Sequence, residues 1–233
     1  PTKQAWLYVF DRETGEPIWP IEEREVEASN VPGELLSPTQ PFPTKPPAYD
    51  RQGVDLNALV DFTPEIRRRA VEIAARHRLG PIFTPPIVSD PKGPYGTMML
   101  PSQIGGTNWP GGSIDPETGI AYLYSFTRIA SLGLINDPER SDMNYISGRA
   151  RDIPAGQATL NVDGIPLVKP PWGRITAIDL KRGEILWQIA HGATADNIRN
   201  HPLLEGVTVP RTGRIGRVGT LITKTLVIAG EPG

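Results

Sequence analysis

The sequence predicts an all-β protein with long, proline-stiffened loops, and three observations support this class. The 233 residues include 26 prolines and 24 glycines, which disfavours a helical bundle because each interior proline destabilises a helix by about 3 kcal/mol. Hydrophobic residues make up 38%, enough, together with the glycines, for a buried core. A turn signature typical of β-hairpins recurs along the chain. The length favours one sizeable domain.

The recurring turn has the pattern D-x-x-x-G-E-x-x-W. Its copies are residues 11–19, residues 179–187 and, more weakly, residues 115–119. The aspartate can accept hydrogen bonds from turn amides, and the glycine can adopt a positive φ. The flanking segments are therefore predicted to form antiparallel strands at residues 5–10, 120–124, 175–178 and 225–228. Trp19 and Trp187 should pack at equivalent places between neighbouring sheets. This repetition favours a β-propeller, with a β-sandwich as the alternative.

Two insertions, about residues 20–103 and 128–171, separate these turns. The first contains a proline-rich stretch, residues 38–49, which predicts extended, polyproline-like chain outside any sheet interior. It also contains the one predicted helix, Pro64 to Arg78, with Thr63 as its N-cap and Gly-Pro beyond its end. The arginines of this helix alternate with glutamates, which indicates a solvated face and not a phosphate site. The second insertion lacks periodicity and is predicted to be loop.

Charge and composition exclude several functions. With a net charge of -2, no global field attracts nucleic acid, and none is expected as a partner. The absence of cysteine excludes disulfides, thiolate nucleophiles and zinc ribbons. No run of 18 apolar residues, the length that would span a bilayer, occurs. Because the chain begins at Pro1 without a leader, we interpret it as an internal piece. Membrane association is expected only through an N-terminal region outside it.

Few residues suggest catalysis, and two segments are candidates. Asn108 and Trp109 lie among four glycines in residues 104–112, where the backbone can approach a ligand and the amide can donate and accept. The alternative is a tight turn with a core Trp. Lys3 precedes the first predicted strand and is otherwise an ordinary surface lysine. Metal-type spacing is absent from the three histidines, His77, His191 and His201. Nucleophile-elbow, phosphate-loop and dinucleotide motifs are also absent.

Several segments together resemble one family. They are residues 1–15, residues 37–43, the sequence Phe83-Thr84-Pro85-Pro86, residues 105–116 and residues 172–180. In this order they are similar to the C-terminal portion of pyrroloquinoline-quinone (PQQ)-dependent dehydrogenases, and most to the glucose-dehydrogenase-like branch. The resemblance implies that residues 1–233 are the C-terminal part of a single eight-bladed β-propeller domain, interrupted by the two insertions. It also implies an oxidoreductase that takes hydride from an alcohol or sugar and passes electrons to a quinone or cytochrome.

The resemblance assigns roles to three residues. Lys3 matches the basic residue that hydrogen-bonds the oxygens of PQQ and stabilises negative charge there. Asn108 matches a cofactor-contacting asparagine, and Trp109 is its neighbour. Lys3 and Asn108 should therefore meet at one partly polar pocket, with their tips within roughly 10 Å. The family's general base, its Ca²⁺ or Mg²⁺ ligands and its stacking Trp lie in segments upstream of Pro1, so these residues alone are expected to be inactive.

The family's enzymes are periplasmic, and the resemblance implies the same location here. The main alternative is a non-catalytic propeller scaffold similar to outer-membrane-assembly lipoproteins, which carry Trp-turn repeats without a cofactor. Such a scaffold would not need Lys3 or the G-G-T-N-W segment. A carbohydrate-binding propeller would need exposed aromatic pairs, and aromatic residues make up only 7% of the chain.

Overall fold

The computed structural model of the chain describes residues 1–154 and 156–232, so residue 155 of the second insertion and residue 233 lie outside it. Among the described residues, strands greatly outnumber helices. Their strands are β1 (Ile21–Glu25), β2 (Thr39–Pro43), β3 (Ile87–Val88), β4 (Thr97–Met99), β5 (Gly112–Asp115), β6 (Ile120–Phe126), β7 (Ala130–Ile135), β8 (Ile146–Ser147), β9 (Asn161–Val162), β10 (Ile165–Pro166), β11 (Gly173–Asp179), β12 (Glu184–Ala190), β13 (Thr220–Ile222) and β14 (Val227–Ala229). The helices are α1 (Pro64–Ala74), α2 (Asp196–Arg199) and two short 3-10 helices, Leu56–Ala58 and Pro202–Leu204.

One four-stranded sheet has the form expected of a propeller blade. Its strands follow the order β5-β6-β11-β12, and every neighbouring pair is antiparallel. The central pair is the longest, with register from Gly173 opposite Phe126 to Asp179 opposite Ile120. The predicted strands at residues 120–124 and 175–178 are therefore confirmed as parts of β6 and β11. The predicted strand at residues 225–228 overlaps β14, which begins two residues later and ends one residue later.

The three predicted turns have the predicted chemistry. The Oδ1 atom of Asp11 accepts the amides of Glu13 and Thr14 at 2.9 and 2.8 Å. The carboxylates of Asp115 and Asp179 accept turn amides in the same way. All three turn glycines have a positive φ, near +70°, a conformation that favours glycine, and they are Gly15, Gly119 and Gly183. The signature is thus a real repeated structural unit.

The predicted strand at residues 5–10 is wrong. Only Phe10 takes part in a bridge, opposite Pro17. Ala5 is fully buried with a φ of +64°, a left-handed conformation that interrupts extended chain. The Ala5 carbonyl accepts the amide of Tyr49 instead of a neighbouring strand. Tertiary packing therefore overrides the β-propensity of this aromatic run.

Trp19 and Trp187 follow equivalent turns but have different surroundings, which corrects the prediction. A Cβ on Gly183 would lie 2.9 Å from the ring of Trp19, so Trp19 packs on the turn of the four-stranded sheet. Trp187 lies in the outermost strand β12, 5.8 Å from the ring of Tyr122, and is 38% exposed. Among the described residues, no neighbouring turn covers it. Only the first Trp therefore packs on an adjacent sheet as predicted.

The predicted helix is confirmed, although it ends early. The side chain of Thr63 caps α1 by accepting the amide of Ile66, and Pro64 occupies the first turn. The helix ends at Ala74, before the predicted Arg78. Its arginines are paired within the chain: Arg68 binds two glutamates of the same helix, and Arg69 binds Asp163. These ion pairs agree with the predicted solvated face.

The two insertions associate with one another, and the second is not a plain loop. Strand β7, from the second insertion, pairs with β3 and β4 from the first and with β8. The β3–β7 pairing is parallel, so this sheet is not the antiparallel blade predicted for the fold. The largest hydrophobic cluster also joins both insertions, through Leu59 and Ile66 on one side and Val162 and Leu167 on the other. Burial against a partner insertion explains why short, aperiodic segments become ordered.

The proline-rich stretch forms the edge strand β2, which pairs only with β1 among the described residues. This placement agrees with the exclusion of proline from sheet interiors. The described sheets do not close into a ring, so the number of blades remains a prediction. No helix of the described residues is long and apolar enough to cross a membrane.

Candidate functional site

Lys3 is held against the glycine-rich segment by close backbone packing. Its carbonyl accepts the amide of Gly106 at 2.9 Å. Gly105 has a φ of +88°, and a Cβ there would lie 2.7 Å from Cγ of Lys3. Only glycine therefore fits beside this side chain. The Lys3 ammonium donates one hydrogen bond within the described residues, to the Gln103 carbonyl at 3.4 Å, which leaves two of its three N–H groups available.

Lys3 lines a cavity of about 220 Å³, which we call the Lys3 cavity. Apolar side chains form most of its wall, including Phe83, Met98 and Leu100. Ser102 also lines the cavity. Its side chain is buried, and its hydroxyl has no hydrogen-bond partner within residues 1–154 and 156–232. An apolar cavity with a few convergent polar groups is the usual form of a small-molecule site.

Asn108 and Trp109 are placed differently from Lys3. The Asn108 amide donates to the Ile104 carbonyl at 2.9 Å, and its oxygen accepts the Trp109 amide at 2.8 Å. Asn108 lines a narrow cleft beside Tyr124, separate from the Lys3 cavity. Trp109 is 97% exposed, so the alternative of a core Trp in this turn is wrong. Lys3 and Asn108 are connected instead through two adjacent carbonyls. The Gln103 carbonyl accepts the Lys3 ammonium, and the Ile104 carbonyl accepts the Asn108 amide.

A buried tyrosine that the sequence analysis missed connects the two segments. The Tyr49 hydroxyl donates to Oγ1 of Thr107 at 2.9 Å and lies 3.4 Å from the Thr2 carbonyl. Burial raises the pKa of this hydroxyl above its ordinary value of 10, so it remains a donor at neutral pH. Tyr49 thus joins the residue before Lys3 to the residue before Asn108.

A buried ion pair lies next to this tyrosine. Asp50 and Arg174 approach to 3.3 Å, and their side chains are 1% and 9% exposed. The hydroxyl of Thr127 bridges them, donating to the Asp50 carboxylate at 2.7 Å and accepting from Arg174 at 2.7 Å. Burial, and then the charge of Arg174, lower the pKa of Arg51 from 12.5 to about 10. Arg174 lies in the buried strand β11. A charged residue within that apolar run was the sequence signal that could have indicated a buried ion pair.

The histidines have structural environments, as predicted. His77, His191 and His201 each bind a backbone carbonyl, of Ile73, Gly230 and Asp163 respectively. Within residues 1–154 and 156–232 no group of three or more His, Asp or Glu side chains is placed to hold a metal ion. These residues therefore do not fit a Ca²⁺ or Mg²⁺ site.

The Lys3 cavity does fit part of a PQQ molecule. The quinone and carboxylate oxygens of that cofactor are acceptors, which match the free N–H groups of Lys3 and the unpartnered hydroxyl of Ser102. The cavity's 220 Å³ lies below the range of about 300–1,000 Å³ for sites that enclose a small ligand. Residues outside this cavity would have to supply the remainder of the site.

Curated relatives are dehydrogenases, several of them quinoproteins. The glycerol dehydrogenase large subunit of Gluconobacter thailandicus is 32% identical over 222 residues, 84% of this chain and 29% of that protein. The quinoprotein glucose dehydrogenase of Escherichia coli K12 is 29% identical over 215 residues, 85% of this chain and 26% of that protein. The quinate/shikimate dehydrogenase (quinone) of Acinetobacter baylyi is 26% identical over 213 residues, 84% and 25%. The chain spans between a quarter and a third of the length of these relatives.

A family model gives the same result over the whole described chain. The model described as PQQ, glucose/ethanol/alcohol dehydrogenase, beta-propeller domain, matches residues 1–232. Its match includes the repeated turns, the four-stranded antiparallel sheet, both insertions and the segments that carry Lys3 and Asn108. The family indicated by the sequence segments is therefore confirmed: the chain belongs to the β-propeller domain family of PQQ-dependent glucose, ethanol and alcohol dehydrogenases.

Proposed function

We propose that the complete protein is a PQQ-dependent oxidoreductase that removes hydride from a small alcohol or sugar and passes the electrons to a quinone or cytochrome. The observation that carries this proposal is the family match over residues 1–232. The relatives named for glycerol, glucose and quinate or shikimate oxidation support a hydroxyl-bearing substrate. A quinone acceptor is supported by the name of the quinate/shikimate enzyme.

Lys3 is the residue of this chain closest to the proposed chemistry. PQQ, when bound, supplies the quinone that accepts the hydride. The ammonium of Lys3 would hydrogen-bond an oxygen of the bound cofactor, where its positive charge would stabilise negative charge. Gly105 and the Gln103 carbonyl fix its position before the reaction, so little reorganisation is needed.

Asn108 and Trp109 are proposed as cofactor-binding residues. The Asn108 amide has one N–H beyond the bond to Ile104, and its oxygen has one lone pair beyond the bond to Trp109. The indole of Trp109 offers an exposed aromatic face and one donor. The general base and the Ca²⁺ or Mg²⁺ ligands are proposed to lie outside residues 1–233, and the complete enzyme is proposed to be periplasmic.

Dye reduction by the complete protein tests the proposal. With PQQ and Ca²⁺ or Mg²⁺ added, reduction of an artificial electron acceptor should depend on an alcohol or sugar from a broad panel. Lys3→Ala should lower kcat about 10²-fold, the scale for loss of one preorganised charge donor, with a smaller loss of PQQ affinity. Lys92→Ala, at an exposed turn lysine, is the matched control and should leave kcat unchanged. No substrate-dependent reduction across the panel would favour the non-catalytic scaffold.

A further inference from the structure

A surface hollow of about 430 Å³ lies beside the loop that follows β12. We call it the Arg211 hollow, and its wall consists of Ala193, Thr194, Arg199, Val207, Val209 and Arg211. It shares no lining residue with the Lys3 cavity or with the cleft beside Asn108. Its volume falls within the range of about 300–1,000 Å³ for small-molecule sites. The hollow is therefore large enough for a small ligand and separate from the proposed PQQ site.

Three arginines gather at this loop. They donate hydrogen bonds to the carbonyls of three consecutive residues, 192–194. The donors, in order along the loop, are Nε of Arg211 at 3.1 Å, Nε of Arg214 at 3.1 Å and Nη2 of Arg199 at 2.9 Å. Carbonyls two residues apart lie within about 7 Å of each other. The three guanidinium groups therefore form one positively charged cluster.

The positive charge of this cluster is only partly neutralised within the described residues. Arg199 pairs with Asp196 at 3.4 Å, but both side chains are more than half exposed, so the pair is weak. A carboxylate oxygen of Glu231 accepts a loop amide at 3.2 Å. Arg211 and Arg214 form no ion pair in the part of the chain that the structure describes. Clustered like charges oppose folding, and such local conflicts are typical of functional sites.

The two arginines that line the hollow retain donors for a ligand. A guanidinium has five N–H groups in a fixed fork, which matches the two oxygens of a carboxylate. Among the described residues, Arg211 donates only through Nε, so both of its terminal nitrogens are available. Arg199 uses one N–H of Nη2 for the loop carbonyl and directs Nη1 toward Asp196. An anionic group at this wall would complete the hydrogen bonding of Arg211 and balance its charge.

The remaining wall is mainly apolar. Val207 and Val209 are half-buried there. The Thr194 hydroxyl accepts the Thr212 amide at 3.1 Å and lies 3.4 Å from the Pro210 carbonyl, so it is already used within the chain. An aliphatic body would cover the two valines, and each CH₂ group that it buries raises affinity about fourfold. An inorganic anion has no such body.

From these observations we propose that the Arg211 hollow binds a small organic carboxylate. The carboxylate group bonds to the guanidinium groups of Arg211 and Arg199, and the aliphatic body contacts Val207 and Val209. This inference goes beyond the proposed function, because it gives the protein a second binding site, for an acid, that shares no residue with the proposed PQQ site.

Titration of the complete protein with 3-methylbutanoate, followed by ligand-observed NMR, tests the proposal. We expect a dissociation constant on the order of 1 mM, a reasonable value for a ligand of about seven non-hydrogen atoms. The neutral analogue 3-methylbutanamide should bind at least about tenfold more weakly, because it lacks the charge. Acetate and inorganic phosphate, which lack the aliphatic body, should also bind at least about tenfold more weakly. The constant should be the same with and without PQQ.

Substitutions assign the binding to this hollow. Arg211→Gln and Arg199→Gln should each weaken 3-methylbutanoate binding about tenfold. Arg211 is exposed, so its replacement leaves the core intact. Arg12→Gln is the matched control, because Arg12 is also an exposed arginine but lies in the turn of residues 11–19. This variant should change the dissociation constant less than about twofold.

The titrations have outcomes that would overturn the proposal. Equal binding of the acid and its amide, or an unchanged constant in Arg211→Gln, would show that the arginines do not bind the ligand. Phosphate or acetate binding as tightly as 3-methylbutanoate would overturn the assignment to an organic acid with an aliphatic body. Competition by PQQ would overturn the separation of the two sites. None of these titrations measures oxidation, so a failure of dye reduction would overturn the proposed function alone.

Discussion

The ion pair between Asp50 and Arg174 gives the sharpest test of the structural core around the site. Replacing Asp50 with Asn keeps the size of the side chain but removes its charge. The two neighbouring guanidinium groups, Arg174 and Arg51, would then face each other without a carboxylate. Replacing Arg174 with Met removes one of these cations instead and leaves Asp50 with Arg51. The two substitutions therefore break the same contact but leave different charges behind.

The structure sets the expected sizes of these two effects. At the observed separation of 3.3 Å, two unit charges attract by about 5 kcal/mol at an effective dielectric constant of about 20. Removing one member of such a buried pair typically costs about 3–5 kcal/mol. Asp50→Asn should reach that range, because it leaves like charges. Arg174→Met should be milder by at least about 1 kcal/mol, since the charge of Arg174 is one cause of the lowered pKa of Arg51.

Urea unfolding of the complete protein gives the free energy of unfolding of the two single variants and of the double variant. Asp50→Asn combined with Arg174→Met should destabilise no more than Asp50→Asn alone, because the double variant retains a single guanidinium. A loss of unfolding free energy below about 1 kcal/mol for Asp50→Asn would show that this ion pair contributes no more than a solvent-exposed pair. A larger loss for Arg174→Met than for Asp50→Asn would refute the charge argument.

Three further predictions concern neighbouring residues. Tyr49→Phe should lower stability by about 1–2 kcal/mol and weaken PQQ binding about tenfold, whereas Tyr95→Phe, which loses a hydroxyl bond in the insertions, should affect stability only. Gly105→Ala should destabilise the fold more than Gly111→Ala. Both glycines have a positive φ, but only a Cβ at Gly105 would lie less than 3 Å from a side chain. Equal losses of unfolding free energy would contradict this prediction. Burial lowers the pKa of His77 below 6.5, so the unfolded chain takes up the proton first and stability should fall as pH drops below about 6.5. His77→Gln should lessen that fall in urea unfolding near pH 7 and pH 5.

Local chemistry explains why the turns and α1 could be predicted. The hydrogen bonds of Asp11 and Asp179 and the Thr63 cap join residues two or three positions apart. Such interactions depend only on residues that are close together in the sequence. The same holds for β6 and β11, whose aromatic and β-branched residues favour strands locally and are buried along most of each strand. These elements need no information about distant partners.

Distant partners explain the wrong predictions. The run at residues 5–10 has high β-propensity, but the Ala5 carbonyl binds the amide of Tyr49 and its backbone turns left-handed. Strand β3 has only two residues and pairs with β7, about 45 positions further along the chain. No periodicity within either segment could reveal the other. The different surroundings of Trp19 and Trp187 likewise depend on which sheet lies beside each.

The sequence predicted three residues of the candidate site but not their surroundings. The resemblance gave Lys3, Asn108 and Trp109, and the family match supports the segments that contain them. Ser102 and Tyr49 carried no sequence signal, because an unpartnered hydroxyl and a bridging phenol are recognised only by what surrounds them. The sequence also could not predict that Lys3 and Asn108 line two separate cavities, since this depends on the path of residues 102–108 between them.

Residues of the first insertion contact both segments of the candidate site. Tyr49, at the end of its proline-rich stretch, binds the segments before Lys3 and before Asn108. Asp50, the next residue, is anchored to β11 of the blade through Arg174. Phe83, from the same insertion, lines the Lys3 cavity. Because these parts of one insertion contact the blade, the segment of Lys3 and the cavity wall, changes in this insertion should disturb the Lys3 cavity together with its anchor on the blade.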